Sequence, residues 1–451
     1  MGARGADRAG VEVSRVPKLL STVEAAAQVR ARDTLGIPLG PGQPAAFLRA
    51  LGTRDDFEDL EVFGALLIEL FPLFTRRGVH LRSGFFGPVE RALRDSGFDV
   101  QFVPADFRRF AAIVQRMRPR VMVTAAAPPD ADGHLSLSLH AGATVEELQR
   151  AGRDPERLLI VETNPSLPRT LGLPPEHPLQ LTLDAIDIVV ESDAPPFTIE
   201  DPPPSDTDRA IASHARRFIR DGCTLQTGIG AIPSEIAELL AADTGGDYGI
   251  HSEMFTDGLM QLHEAGKVTN RKGHYDGISI TTFAAGSRTL YDWLDGNEQV
   301  RFLPVDCVNS HSAIARNRQM VSINGALAVD LTGQIAADAL NGRQYSGIGG
   351  HMDFISGASR SAGGRALVCL PSTVSGEARR VTRIVDVLPA ASYVTTPRHE
   401  VDVVITEYGA AELADRTVDE RAEALIGVAH PDLRDGLREA WAKQTSQGKD
   451  Q

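Results

Sequence analysis

Between Asp193 and Asp208 the chain reads "DAPPFTIEDPPPSDTD", with five prolines and five acidic residues in sixteen positions. Proline lacks a donor and fixes φ, so neither a helix nor a sheet strand can run through such a segment. The 451-residue chain is already too long for one ordinary core. The segment therefore marks the expected boundary between an N-terminal domain over 1–200 and a C-terminal domain over 209–451.

On both sides the hydrophobic pattern alternates between short apolar runs and helical spacing. "GVHLRSGFF", "VMVTAAAP" and "RLLIVETN" read as buried strands, with "FRRFAAIVQRM" as a helix among them. After the boundary come a helix over "RAIASHARRFI", a strand at "CTLQTGI", a helix over "SEIAELLAA", a strand at "YGIHSE" and a helix through "FTDGLMQLHEAG". This rhythm predicts open α/β sheets in both halves. A short echo links "DADGHLSLS" to "DLTGQIAAD", each a turn leading into a strand.

A net charge of −14 argues against a general nucleic-acid binder, because phosphate contacts need clustered Lys and Arg. The apolar run "VFGALLIELFPLF" carries Glu69 and Pro72 and is too short to cross a bilayer. The start, "MGARGADRAGVEVSRVPKLL", lacks the apolar core of a secretory signal. A cytoplasmic protein is expected. Cys223, Cys307 and Cys369 are far apart, form no CxxC pair and sit among apolar neighbours, which suggests buried free thiols and neither a disulfide framework nor a zinc site.

Three stretches can carry chemistry. In "TGIGAIPSEIAELL", Gly228 and Gly230 follow a strand, and Pro233 sits where a first helical turn tolerates it. The exposed N–H groups of that helix start suit a phosphate, although glycine serves tight strand-to-helix turns everywhere. In "YGIHSEMFTDG", Glu253 falls at or just before a helix start, where the helix dipole favours its ionised form. It is either an acid answering unpaired N–H groups or an ionised, accessible nucleophile at the carboxyl end of a strand, the usual place of α/β active sites. His251 and Asp257 nearby receive no role. In "YSGIGGHMDFISGASRSAGG", six glycines around Asp353 suggest a long loop that is either mobile or a main-chain oxyanion site. HExxH, GxSxG and GxxxxGK[ST] are all missing.

Taken in order, "GIGAIP", "GIHSEM", "SINGALAVDLTGQ", "GIGGHMDF", "LPSTVSGEARRVTRIV" and "ITEYGAAEL" resemble the acetyl-CoA hydrolase/CoA-transferase family, from about Gly40 to Leu437. The resemblance implies two similar open α/β domains with the active site between them, in a homodimer. It also implies an acyl-CoA:carboxylate CoA-transferase acting on short-chain acyl-CoA such as acetyl-CoA, butyryl-CoA or 4-hydroxybutyryl-CoA. A short-chain acyl-CoA hydrolase is the nearest alternative, and a non-catalytic CoA-binding protein a further one. Glu253 falls on the family's covalent nucleophile, Gly349 or Gly350 on a main-chain oxyanion donor and Asn309, in "CVNSHSAI", on an active-site asparagine. Gly228, Ile229, Gly230, Ala231, Ile232, Gly350 and Arg380 fall on CoA-binding positions. Coenzyme A is then a substrate, with no metal and no permanently bound cofactor. His351 departs from the family's common glutamine, and the acyl pocket is the least specified part.

Overall fold

The structure is a computed structural model and describes residues 16–375 and 380–447. Its frame is two sheets. The first has eight strands, all parallel, in the spatial order Lys18–Leu19, Ile188–Glu191, Leu158–Thr163, Val121–Ala126, Arg32–Leu39, Asp59–Ala65, Val79–Ser83 and Val100–Phe102. The second has six, in the order Gly249–Ile250, Thr224–Gln226, Met320–Gly325, Arg365–Cys369, Val403–Thr406 and Gly409–Glu412, parallel except for the final hairpin. Central strands such as Val121–Ala126 and Val403–Thr406 are buried on both faces, so their sequences read as near-continuous apolar runs, each with a single threonine.

Among the described residues, three apolar clusters fill the interior. One lies within the first half, around Phe47, Leu60, Phe71 and Ile160. Another lies within the second, around Ile314, Phe354, Val404 and Leu425. The third is continuous across both and joins Leu139 and Val161 to Phe255, Phe283 and Ile405. The two sheets are thus welded by a shared core. Main-chain bonds reinforce the seam: Ala141 N–H donates to Thr282 O at 2.7 Å and Ala284 N–H to Leu139 O at 2.8 Å.

Several local expectations change. "FRRFAAIVQRM" is a 3-10 turn over Phe107–Arg109 followed by a helix over Phe110–Met117. The strand expected over "YGIHSE" is only Gly249–Ile250, because Ser252 and Glu253 turn away to meet a small separate pair, Met254–Phe255 with Phe283–Ala284. The expected glycine-rich loop ends at Gly350, where a helix over His351–Arg360 begins. Cys223 and Cys369 are buried, whereas Cys307 is only half-buried, its sulfur 3.5 Å from His177 Nε2. No helix among the described residues is long and apolar enough to cross a membrane.

Candidate active site

Glu253 sits in the turn between Gly249–Ile250 and Met254–Phe255, beyond the carboxyl edge of the second sheet. Its carbonyl is gripped by Thr282 N–H at 3.0 Å and Thr281 Oγ1 at 3.0 Å. Ser252, one residue earlier, is tied to Thr227 O at 3.1 Å and to Ile280 O at 3.0 Å. The backbone on both sides of the carboxylate is therefore fixed, and Thr282 is itself held by the first half through Ala141 and Gly142.

The helix-start role falls to a different acid. The helix over Asp257–Glu264 begins four residues after Glu253, and it is Asp257 that occupies its first turn, accepting from Ser287 N–H at 2.9 Å. The expected helix start at Glu253 is corrected: the helix dipole acts on Asp257. The Glu253 carboxylate lies instead against Asn309, whose Nδ2 donates to Oε2 at 2.6 Å, and against the Gly350 main-chain N–H. Burial pushes its pKa up to about 8; the Asn309 and Gly350 donors pull the other way, and the nearby Asp353 charge adds to the rise.

Gly350 has no room for a side chain. A Cβ there would lie 2.0 Å from Glu253 Oε2 and 2.5 Å from Asn309 Nδ2. Gly349 adopts φ +56°, in the left-handed region, which brings the main chain across the carboxylate. Around them is a cavity of about 200 Å³ whose walls include Phe85, Gln226, Met254, Asn324, Ile348 and Phe354, with Glu253 opening into it. Phe85 comes from the first half and packs on Gly347 and Gly349.

The other expected residues divide. Gly228 lines this cavity. Ile229 is exposed, and Ala231 and Ile232 begin the helix over Ala231–Ala242, capped by Gly230 at φ 114°. The N–H end of that helix already holds an anion from the same chain: Asp201 Oδ1 accepts from Gly230 N–H at 2.9 Å, and its other oxygen from the Ser234 hydroxyl. Arg380 is not brought to the cavity. It lies exposed in a hairpin strand, its guanidinium against His430. His351 is buried, bonded to Thr396 Oγ1 at 2.8 Å, and its pKa is pushed down to about 4 by burial, so it is a neutral wall.

His251 proves to be a brace. Its Nε2 donates to Val308 O at 2.7 Å, next to Asn309, and Asn317 Nδ2 meets Nδ1 at 3.1 Å. Burial drives its pKa down to about 3, so it stays neutral. The sequence reading missed Phe85, Gln226, Asn324 and Arg108. Asn324 carried a signal inside the "SINGALAVDLTGQ" stretch, and Phe85 a fainter one at the start of "FFGP".

A carboxylate with a raised pKa, fixed backbone, and main-chain and amide donors at its oxygens can attack an activated carbonyl and be attacked in turn. Comparison with known proteins points the same way. Residues 286–441 match the acetyl-CoA hydrolase/transferase C-terminal domain. The 4-hydroxybutyrate coenzyme A transferase of Clostridium kluyveri is 34% identical over 435 residues, covering 95% of this chain and 98% of that protein. A succinyl-CoA:cyclohexane-1-carboxylate CoA transferase of Geobacter metallireducens is 34% identical, covering 94% of each. The crystal structure of RipA from Yersinia pestis superposes with a TM-score of 0.86 at 32% identity, covering 95% of this chain and 98% of that one.

Proposed function

The chain belongs to the acetyl-CoA hydrolase/transferase family, as a CoA-transferase, and on that premise we propose that Glu253 carries CoA between short-chain carboxylic acids as a covalent thioester. The observation that carries the reading is the Glu253 carboxylate held between Asn309 Nδ2 and the Gly350 N–H at the wall of the cavity.

A Glu253 oxygen attacks the acyl-CoA carbonyl carbon, the C–S bond breaks, and CoA leaves as thiolate, giving a mixed anhydride. The thiolate then attacks the glutamyl carbonyl and expels the first acid as its carboxylate. What remains is a glutamyl-CoA thioester, and the same steps in reverse with a second carboxylate give the new acyl-CoA. No water is consumed and no net proton moves.

Each step passes through an oxyanion, for which the donor is the amide of Gly349 or Gly350; one such donor is typically worth about 3 kcal/mol, or roughly a hundredfold in rate. The raised pKa makes the ionised carboxylate a stronger nucleophile while reducing its population at neutral pH. Asn309 recovers part of that population by donating to the charged form.

Water competes for the anhydride and the thioester alike. Acetyl-CoA hydrolysis is therefore the second reading, and the closed seam between the halves favours transfer. We read the halves as two domains, 1–200 and 209–451, that exclude water by packing on each other. Incubation with acetyl-CoA and butyrate, followed by chromatography of the thioesters, tests the assignment. Butyryl-CoA should form in step with loss of acetyl-CoA. Free thiol accumulating at the same rate with and without butyrate would assign the protein as a hydrolase.

A further inference from the structure

The amide nitrogen of Asn309 serves two carboxylates, with Nδ2 2.6 Å from Glu253 Oε2 and 3.2 Å from Asp353 Oδ2. Its carbonyl Oδ1 is buried with no hydrogen-bond partner among the described residues, so none of them fixes from that side which way the amide faces. Asp353, fully buried in the first turn of the His351–Arg360 helix, does fix it. An ionised carboxylate only accepts hydrogen bonds, so it holds the nitrogen end of Asn309 toward itself, and the second amide hydrogen falls on Glu253.

A buried carboxylate without a cation is costly. The cation is Arg108, with Nε 2.7 Å from Asp353 Oδ1 and its main-chain N–H 3.4 Å from Oδ2. Asp106, beside Arg108, and His311, whose Nε2 is 3.4 Å from Oδ1, also face Asp353. His311 is kept neutral by burial and by Arg108 and Arg360, leaving Arg108 as the charge that answers Asp353. Arg108 comes from the first half of the chain, on the Phe107–Arg109 turn. The same turn bonds the glycine pair, since Phe107 N–H donates to Gly349 O at 3.0 Å.

We propose that Arg108 and Asp353 are positioning residues for the transfer reaction: Arg108 holds Asp353 charged, Asp353 orients the Asn309 amide, and Asn309 presents its hydrogen to the attacking oxygen of Glu253. The nucleophile in the second half is in this way set by a cation from the first. The proposal rests on Glu253 being the attacking group.

A double-mutant cycle on the full chain tests it, measuring kcat and KM for transfer from acetyl-CoA to butyrate. Arg108→Gln should lower kcat about tenfold with the acetyl-CoA KM within about twofold, and Arg108→Lys should regain most of the loss. In an Asn309→Ala background, Arg108→Gln should cost less than about twofold more, because the chain of contacts is already cut. Where Asn309→Ala is too slow for steady-state work, single-turnover formation of the CoA adduct gives the same ratios. Arg108→Gln with wild-type kcat, or effects of Arg108→Gln and Asn309→Ala that simply multiply, would overturn the proposal. A wild-type enzyme that transfers CoA without any adduct on Glu253 would instead remove the premise.

Discussion

Each half of the molecule has a glycine turn that leaves a central parallel strand and opens a helix. In the first half the turn Gly40–Gly42 leads into the helix Ala45–Leu51; in the second, Gly228–Gly230 leads into Ala231–Ala242. Each helix start faces a carboxylate from elsewhere in the chain, as the partial positive charge of that end requires. In the first half it is Glu162, 2% exposed, accepting from Phe47 N–H at 2.9 Å and Ala46 N–H at 3.3 Å. In the second it is Asp201, exposed on the proline-rich connector. The first carboxylate is enclosed by the core, while the second stands at the surface. The same electrostatic rule is met by a core carboxylate in one half and by a surface carboxylate in the other.

The halves match further than this. Ala127 N–H donates to Ser136 O and Leu327 N–H to Ala336 O, both at 2.9 Å. Within these two turns Asp130 Oδ1 accepts from the N–H groups of Asp132 and His134, and Asp330 Oδ1 from those of Thr332 and Gln334. The difference is at the preceding strands: Thr124 is closed off against buried His140, whereas Asn324 opens onto the cavity with Glu253. The nucleophile and its donors come from the second half, while the first supplies Phe85 to the cavity wall and Arg108 to Asp353.

The largest effect expected from this contrast is on turnover. Glu253→Gln should lower kcat for CoA transfer by at least about a thousandfold. Glu162→Ala, which strands two N–H groups in the first half, should leave kcat within about threefold but lower the thermal midpoint by several degrees, for a cost of about 1–3 kcal/mol. Steady-state kinetics and thermal melts of both variants separate site from scaffold. Next is Gly350→Ala, whose methyl group overlaps Glu253 and Asn309; about a hundredfold loss in kcat is expected with the fold retained, measured by kinetics beside circular dichroism.

Acid titration gives a smaller, directional effect. Glu253 is protonated below its pKa of about 8, so kcat/KM should rise tenfold per pH unit up to about pH 8 and then level. A folded pKa raised above the ordinary 4.5 means the fold binds that proton more tightly than the unfolded chain does. The contribution is fully present below about pH 4.5 and is lost as pH rises to about 8. Thermal melts at pH 5 and pH 8.5 should show Glu253→Gln gaining stability relative to wild type at the higher pH. The smallest effect belongs to the connector: Asp201→Ala should lower the acetyl-CoA KM about two- to fivefold at unchanged kcat, if a CoA phosphate takes the vacated seat. An unchanged KM would make Asp201 a lock like Glu162.

The sequence carried the alternation of strands and helices because central parallel strands are apolar throughout and the helices amphipathic. It also carried Glu253, Asn309 and the glycine pair, through short ordered motifs. It misplaced the helix start relative to Glu253. Proximity to Asp257 in the chain suggested a helix start, whereas the controlling neighbours, Asn309 and Asp353, lie 56 and about a hundred positions away. Arg108 was illegible for the same reason: in "FRRF" it reads as a helix-surface arginine, and its partner is 245 residues distant. Arg380 was drawn to the site by its motif, yet its strand turns it toward His430.

A covalent bond between Glu253 and CoA can be weighed directly. The protein is mixed with acetyl-CoA, quenched in acid and weighed intact, and its peptides are then mapped. A mass gain of one CoA less one water, confined to the peptide holding Glu253, discharged by butyrate and missing in Glu253→Gln, is the predicted result. Transfer that proceeds with no such adduct, or an adduct that persists in Glu253→Gln, would contradict it.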